Sequence, residues 1–212
     1  GNSWRPVSPD LTTNTNRYEL EMIGRVWSVD ALYDNGAMSK YATLTNISES
    51  PIIEGLLYVG SDDGRIQVSE DGGQTWRKID KVYGVPEMAF VNDVKADLHD
   101  ADTVYVALDN HKSGDFSPYL YKSTDGGRSW TRGERVAQWH RVSEVALCDA
   151  ANGDLVAACR TDIPKRMTGE DLDHYEGLGI SISTDRGHTW SAVEKLYDWG
   201  RHHPSLVLMP SG

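Results

Sequence analysis

The chain has 212 residues, a length that fits one or two domains, and 39% of them are hydrophobic, which is enough for a packed core. The net charge of −11 and the sequence pI of about 5.0 argue against nucleic acid as a partner, because phosphate binding needs a basic surface. No run of 18 apolar residues occurs, so the sequence predicts no membrane span.

Two segments near the N-terminus are predicted as isolated strands. Residues 1–7 resemble the outer strand of an incomplete repeat, because Gly1-Asn2-Ser3-Trp4 looks like the end of a motif found later in the chain. Residues 24–32 alternate between polar and apolar side chains, a pattern that indicates a second such strand.

An octapeptide of the form Ser-x-Asp-x-Gly-x-x-Trp then occurs three times. The copies begin at residues 69, 123 and 183, so they are 54 and 60 residues apart, and this period indicates a solenoid, propeller or array. In each copy Asp can bond backbone N–H groups across a tight turn, Gly permits a positive φ, and Trp supplies an apolar anchor. The residues in these roles are Asp71, Gly73, Trp76, Asp125, Gly127, Trp130, Asp185, Gly187 and Trp190.

Each octapeptide lies within a predicted repeat of four short strands. The predicted strands are 41–48, 55–60, 64–69 and 76–79; then 91–96, 103–108, 119–123 and 129–132; then 143–148, 154–160, 179–183 and 189–193. Repeated groups of four antiparallel strands predict an all-β fold, a β-propeller with complete blades at about 41–80, 91–133 and 142–194. One further strand is predicted at 202–209, and all of 1–212 is interpreted as a single propeller domain or a propeller fragment.

The two cysteines flank a predicted hairpin at Asn152-Gly153. With these two residues as the turn, Cys148 faces Ala157 and Cys159 faces Ala146, so both thiols lie on one face, diagonally about 7–8 Å apart. That separation is too large for an unstrained disulfide, and the sequence predicts two buried free thiols.

The octapeptides resemble the Asp-box, or BNR, repeat of sialidases and of sortilin-like and xyloglucanase-type propellers. The resemblance covers about residues 40–212 and implies that the boxes are structural and lie on the outer rim. Residues 142–212 look like the sialidase type, whereas residues 1–133 look like the sortilin and xyloglucanase type. The resemblance also slightly favours a secreted or periplasmic protein, although the compartment stays open.

The predicted blades are fewer than the six or more that the resemblance implies. Three explanations are open: the chain is a fragment of a larger propeller, two copies form one ring, or a four-bladed ring closes through residues 24–32. The partners expected are therefore a carbohydrate ligand and either a homodimer partner or a missing propeller half. The change in type between the two parts of the chain also leaves open a natural or engineered fusion.

Two segments place polar residues where a propeller binds ligands. Residues 152–160 resemble the sialidase stretch that ends in Ala-x-x-Arg, which gives Arg160 a substrate-binding role, and the loop after it supplies the acid/base. Asp162 and Asp173 are both candidates for the acid/base, with Tyr175 as a further contact. A solvated acidic loop is the competing interpretation.

The second segment is Trp199–Leu206, which is similar to the start of a sialidase inner strand with its Arg-Ile-Pro motif. His202 takes the arginine position by spacing and Arg201 lies one residue early, so both are candidate substrate contacts. In the preceding blade the matching position is Ser143, with Arg141 two residues early. Adjacent His202 and His203 point to opposite faces of a strand, so no metal site and no cofactor are predicted.

Three functions are compatible with these residues. The first is a sialidase-like glycoside hydrolase, in which Arg160, Arg201 and His202 hold an anionic or hydroxyl-rich sugar. The second is a non-catalytic propeller that binds glycan or protein, since a glycosidase needs a second carboxylate or an activated tyrosine that the sequence does not identify. The third is a recombined or engineered propeller fragment that assembles into a ring.

Overall fold

The computed structural model describes residues 2–22, 24–27, 41–79, 81–162, 177–201 and 203–210. The chain divides into two compact units, Gly1–Gly133 (unit 1) and Glu134–Gly212 (unit 2). This boundary falls between the second and third predicted blades, which end at about 133 and begin at about 142. The single propeller domain over residues 1–212 stays a prediction.

Three four-stranded antiparallel sheets form the body of the protein, and in each sheet neighbouring strands are consecutive in the chain. Unit 1 holds blade 1, with β3 (Leu44–Glu49), β4 (Leu57–Ser61), β5 (Ile66–Ser69) and β6 (Arg77–Ile79), and blade 2, with β7 (Phe90–Ala96), β8 (Val104–Asn110), β9 (Asp115–Ser123) and β10 (Thr131–Arg132). Unit 2 holds blade 3, with β11 (Val142–Asp149), β12 (Leu155–Thr161), β13 (Gly177–Ser183) and β14 (Glu194–Tyr197). The all-β fold of three complete propeller blades is confirmed.

The remaining regular structure is small. A two-stranded sheet pairs β1 (Glu21–Met22) with β2 (Arg25–Val26), and 3-10 helices cover Arg17–Glu19 and His111–Ser113. The strand predicted at 24–32 is thus represented by β2, which pairs outside the blades, and residues 28–32 lie beyond the described part.

Blades 1 and 2 pack side by side through an apolar core. Alternate residues of β8 point inward, and Val104 and Val106 are buried together with Val91 and Val94 of β7. The first strands of the two blades are joined by side chains, because Thr45 Oγ1 donates to the Val91 carbonyl at 2.7 Å. Asn46 Oδ1 also accepts a hydrogen bond from the Val94 N–H at 3.0 Å.

Every first strand contains a bulge near its start. The pairing slips between Leu44 and Asn46 in β3, between Val91 and Asp93 in β7, and between Val142 and Val145 in β11. In β11 both Ser143 and Glu144 therefore lie opposite Arg160 of β12. A strictly alternating interpretation of the sequence could not predict this.

The fourth strand of blade 3 was predicted at 189–193, and that prediction is wrong. The strand begins at Glu194, whereas β6 and β10 begin directly after the box tryptophan. Ser191 explains the delay, since its Oγ accepts the Ile182 N–H at 3.0 Å and its own N–H bonds the Ile182 carbonyl at 2.9 Å. The side chain takes a bond that the ladder would otherwise make.

The strands predicted at 1–7 and 202–209 are also not found, because the described residues 2–7 and 203–210 contain no strand. Residues 2–7 still pass close to blade 1, since the Val7 carbonyl oxygen lies 3.0 Å from where a Cβ on Gly73 would be.

The hairpin between β11 and β12 corrects the prediction for the cysteines. The turn holds three residues, with the Ala150 N–H bonded to the Asp154 carbonyl at 2.8 Å. Cys148 consequently pairs with Val156, and Cys159 pairs with Val145. This slip of one residue puts the thiols on opposite faces of the sheet. Both are free, as predicted, but only Cys159 is buried and Cys148 is half-buried.

Candidate functional site

Each Asp-box is a turn closed by its own side chains. In the second box Ser123 Oγ donates to Asp125 Oδ1 at 2.7 Å and accepts the Gly127 N–H at 2.8 Å. Asp125 Oδ1 and Oδ2 accept the N–H and the hydroxyl of Ser129 at 2.8 and 2.6 Å. The same bonds recur, between 2.5 and 2.8 Å, around Asp71 with Ser69, Gly73 and Thr75, and around Asp185 with Ser183, Gly187 and Thr189.

These bonds explain the acidity of the box aspartates. Bonds from Thr75 lower the pKa of Asp71 to about 2, and bonds from Thr189 lower the pKa of Asp185 to about 2. Bonds from Ser129 lower the pKa of Asp125 in the same way. Since the carboxylate oxygens are used inside the turn, the boxes offer little to a ligand.

The box tryptophans anchor these turns differently. Trp76 Nε1 donates to the Gly73 carbonyl at 3.0 Å, within its own box. Trp130 packs against the core of unit 1, and Trp190 meets Trp139 edge to face, with ring centroids 4.8 Å apart.

The candidate site lies at the end of blade 3 opposite its box. Arg160 and Asp162 are two residues apart along β12 and its continuation, so they share a face of the sheet. The start of β11 and the end of β14 reach the same end, because Val142 pairs with Thr161 and Tyr197 pairs with Leu178. The residues that meet here, called the arginine–carboxylate cluster, are Arg141, Glu144, Arg160, Asp162 and His203.

Asp162 is held at two points. Its Oδ2 forms an ion pair with Arg141 Nε, and its backbone carbonyl accepts a bond from Lys195 Nζ at 2.6 Å. Its Oδ1 is buried and has no hydrogen-bond partner among the residues that the structure describes. This oxygen is an acceptor that a ligand hydroxyl could satisfy.

Glu144 is the functional candidate that the sequence did not reveal. Its Oε1 lies 3.2 Å from Arg160 Nη1, and its Oε2 lies 3.2 Å from His203 Nδ1, at an angle outside hydrogen-bond geometry. The bulge in β11 brings Glu144 opposite Arg160. The nearest signal in the sequence was Arg141, which lies two residues before the position expected from spacing. It marks the same irregular start of β11.

The other predicted residues do not join this cluster in the described part of the chain. The Arg201 guanidinium lies over the Tyr197 ring, 5.2 Å from its centroid, in a cation–π contact. Asp173, Tyr175 and His202 fall outside the described residues. Within the described part of the chain, no group of three His, Cys, Asp or Glu side chains could hold a metal ion.

Unit 1 has no matching cluster at its polar loop, residues 109–115. Asp109 accepts a bond from Asn92 Nδ2 at 2.7 Å and also contacts His111, while Asp115 Oδ2 accepts the Tyr119 hydroxyl at 2.5 Å. The carboxylates of this loop are thus held by neighbouring side chains of blade 2.

Comparison with known families settles the lineage. A family described as the BNR repeat-like domain matches residues 57–203, more than half of the chain. The chain belongs to this BNR family. A search of curated proteins gives no significant match. No helix in the described part of this BNR protein is long and apolar enough to cross a membrane.

Solved structures give several distant similarities. A GH74 xyloglucanase from Xanthomonas campestris is 17% identical, with a TM-score of 0.38, over 68% of this chain and 29% of that one. The GH93 alpha-L-arabinofuranosidase of Fusarium graminearum, in complex with arabinobiose, is 18% identical, with a TM-score of 0.37, over 72% and 48%. YCF48 from Cyanidioschyzon merolae is 20% identical, with a TM-score of 0.37, over 70% and 36%. The chain thus spans less than half the length of each of these structures.

Proposed function

We propose that this BNR protein acts on glycans and that the arginine–carboxylate cluster of blade 3 contacts the sugar. The observation that carries the proposal is the pairing of two arginines with two carboxylates at one end of the sheet. Such a cluster presents charged donors and acceptors close together, and sugar hydroxyls can both donate and accept.

The finer proposal is a sialidase-like exo-glycosidase. Asp162 is the proposed acid/base because its Oδ1 has no hydrogen-bond partner within the described chain. Glu144 is proposed as the second carboxylate that glycoside hydrolysis needs. Arg160 and Arg201 are proposed sugar contacts, and Asp173, Tyr175 and His202 keep the roles predicted from sequence.

Turnover of aryl glycosides, including an aryl sialoside, tests this proposal. Loss of either carboxylate in Asp162→Asn or Glu144→Gln is expected to lower kcat by about 100-fold or more, the range for a general acid or base. Glu194→Gln is a matched control, because Glu194 lies exposed on β14 of the same unit. Equal turnover in all three variants would contradict the proposal.

A non-catalytic glycan-binding propeller is the second candidate. It is favoured by the ion pairs themselves, since Arg141 already engages Asp162 Oδ2 and Arg160 already engages Glu144 Oε1. Calorimetric binding of a glycan that is not cleaved, weakened by Arg160→Gln, would support this candidate over the hydrolase.

We also propose that further blades complete the propeller, from a second copy or from a missing half. Two apolar side chains on first strands support this, since Ile47 is 65% exposed and Leu147 is 60% exposed. Light scattering tests for the second copy: twice the chain mass of 23.6 kDa indicates a ring of two copies, whereas 23.6 kDa is expected both for a chain that needs the missing half and for a closed four-bladed ring.

A further inference from the structure

A cleft lies in unit 1, at the end of blades 1 and 2 that carries their Asp-boxes. Its volume is about 340 Å³, and it opens between the loop from β3 to β4 and the turn from β7 to β8. The side chains that matter to its chemistry are Ile53, Leu56, Tyr58, Glu70, Asp102 and Arg128.

Tyr58 is the unusual member of this lining. Its side chain is fully buried, and its hydroxyl has no hydrogen-bond partner among the described residues. The hydroxyl oxygen lies 3.9 Å from where a Cβ on Gly126 would be, and Gly126 also lines the cleft. Buried polar groups without a partner are rare, so this hydroxyl is a candidate hydrogen-bond partner for a ligand.

The charged lining has a net negative charge, because it holds two carboxylates and one guanidinium. Glu70 Oε1 lies 3.3 Å from Arg128 Nη2, so these two residues form an ion pair on one wall. Asp102 is exposed, and its carboxylate makes no hydrogen bond or ion pair with the other described residues. A ligand therefore meets a hydroxyl at the floor and an open carboxylate at the rim, with no surplus of positive charge to attract an anion.

The apolar lining lies beside these groups. Leu56 is buried, whereas Ile53 is 47% exposed, so part of its surface is available to a ligand. An apolar wall next to convergent polar groups is the usual composition of a small-molecule site.

We propose that this cleft binds a neutral, hydroxyl-rich sugar residue. One sugar hydroxyl bonds the Tyr58 hydroxyl and another donates to the Asp102 carboxylate, while the C–H face of the ring packs on Ile53 and Leu56. An acidic sugar is disfavoured because Glu70 is paired with Arg128 and the Asp102 carboxylate leaves the lining with a net negative charge. The site lies in unit 1 and uses no residue of the arginine–carboxylate cluster, so it does not rest on the function proposed for unit 2.

Amide chemical shifts measured during titration with cellotetraose test the proposal, with the negatively charged 3′-sialyllactose as comparator. Cellotetraose is expected to shift the amides of Leu56, Ala101 and Gly126, and 3′-sialyllactose is expected to leave them unchanged. Tyr58→Phe should weaken cellotetraose binding by about 3- to 10-fold, the loss of one hydrogen bond. Tyr83→Phe is the matched control, because Tyr83 is an exposed tyrosine of the same unit.

The substitution is also informative about folding. Removing a hydroxyl that has no partner is nearly neutral, so Tyr58→Phe is expected to unfold at the same temperature as the parent chain. A clear loss of stability without any cellotetraose shift would mean that water already satisfies the hydroxyl, and it would overturn the proposal. So would equal affinity of the Tyr58→Phe and Tyr83→Phe variants.

Variants of unit 2 separate this site from the function proposed above. Glu144→Gln and Asp162→Asn are expected to leave the shifts of Ala101 and Gly126 unchanged. If these variants abolish the shifts, the sugar binds through unit 2 and the cleft is not the site.

Discussion

The hydroxyl of Ser123, and those of Ser69 and Ser183, connect the two sides of each Asp-box turn. Each donates to the box aspartate and accepts a glycine N–H. One small side chain thus bonds two groups that would otherwise bond water. The aspartate acts in the turn only as an acceptor, and its ionised form is the stronger acceptor.

The box aspartates therefore link stability to pH. The pKa of Asp71 is about 2 in the folded chain, below the value of about 3.9 for an unfolded aspartate. A lowered pKa contributes stability above about pH 4, and this contribution is lost as the pH falls toward 2. We expect Asp71→Asn to be less stable than the parent chain at pH 7 and to show a flatter pH dependence between pH 4 and 2.

Urea unfolding at several pH values measures this effect. Asp149→Asn is a suitable control, because Asp149 is an exposed residue outside the boxes. If the Asp71→Asn curve runs parallel to that of the parent chain between pH 4 and 2, the bonds to Thr75 do not set the acidity of Asp71.

At the scale of elements, the junction of blades 1 and 2 depends on side chains of β3. Asn46 Oδ1 accepts the N–H of Val94, a fully buried residue, and Asn46 Nδ2 donates to Asp93 Oδ1 at 2.5 Å. The two first strands are thus joined at a point where no backbone ladder connects them.

Removal of this bridge should destabilise unit 1. Asn46→Ala leaves the Val94 N–H without its acceptor, and an unsatisfied buried donor costs about 1–3 kcal/mol. Asn92→Ala is the control, since it removes only an exposed bond to Asp109, with an expected cost of about 1 kcal/mol or less. Denaturant unfolding of both variants gives the comparison, and equal losses would show that Asn46 does not join the blades.

The same elements show what sequence can predict. The box motifs located the ends of β5, β9 and β13 correctly at Ser69, Ser123 and Ser183, because turn chemistry is local. The start of β14 was missed because the Ser191 hydroxyl takes the Ile182 N–H in place of a backbone carbonyl. The hydrophobic pattern of the sequence carries no information about this side-chain bond.

The candidate site was predictable in part for a similar reason. Arg160 was predicted from its Ala-x-x-Arg motif, and Asp162 was one of two candidates in the loop that follows. Glu144 could not be predicted, because its position opposite Arg160 depends on the bulge between Val142 and Val145. A bulge reflects pairing between strands, and a single strand's pattern carries little information about it.

At the scale of the whole molecule, the acidic charge limits the choice of partners. With a net charge of −11, the chain repels phosphate at neutral pH. We expect no binding to duplex DNA at 100 mM salt, measured by fluorescence anisotropy with a basic protein as positive control. Non-specific DNA binders reach a Kd of about 10⁻⁴ to 10⁻⁶ M at physiological salt, so an affinity in that range would contradict the expectation.

The slip of one residue in the hairpin of blade 3 has a practical consequence. It separates the two cysteines, leaving Cys148 half-buried on one face of the sheet and Cys159 buried on the other, where burial raises the pKa of its thiol. Only a thiolate reacts readily with maleimide. We expect one label per native chain and two in denaturant, counted by mass spectrometry. Cys148 would then carry a fluorophore in unit 2 with no engineered residue, and two labels on the native chain would show that Cys159 is accessible.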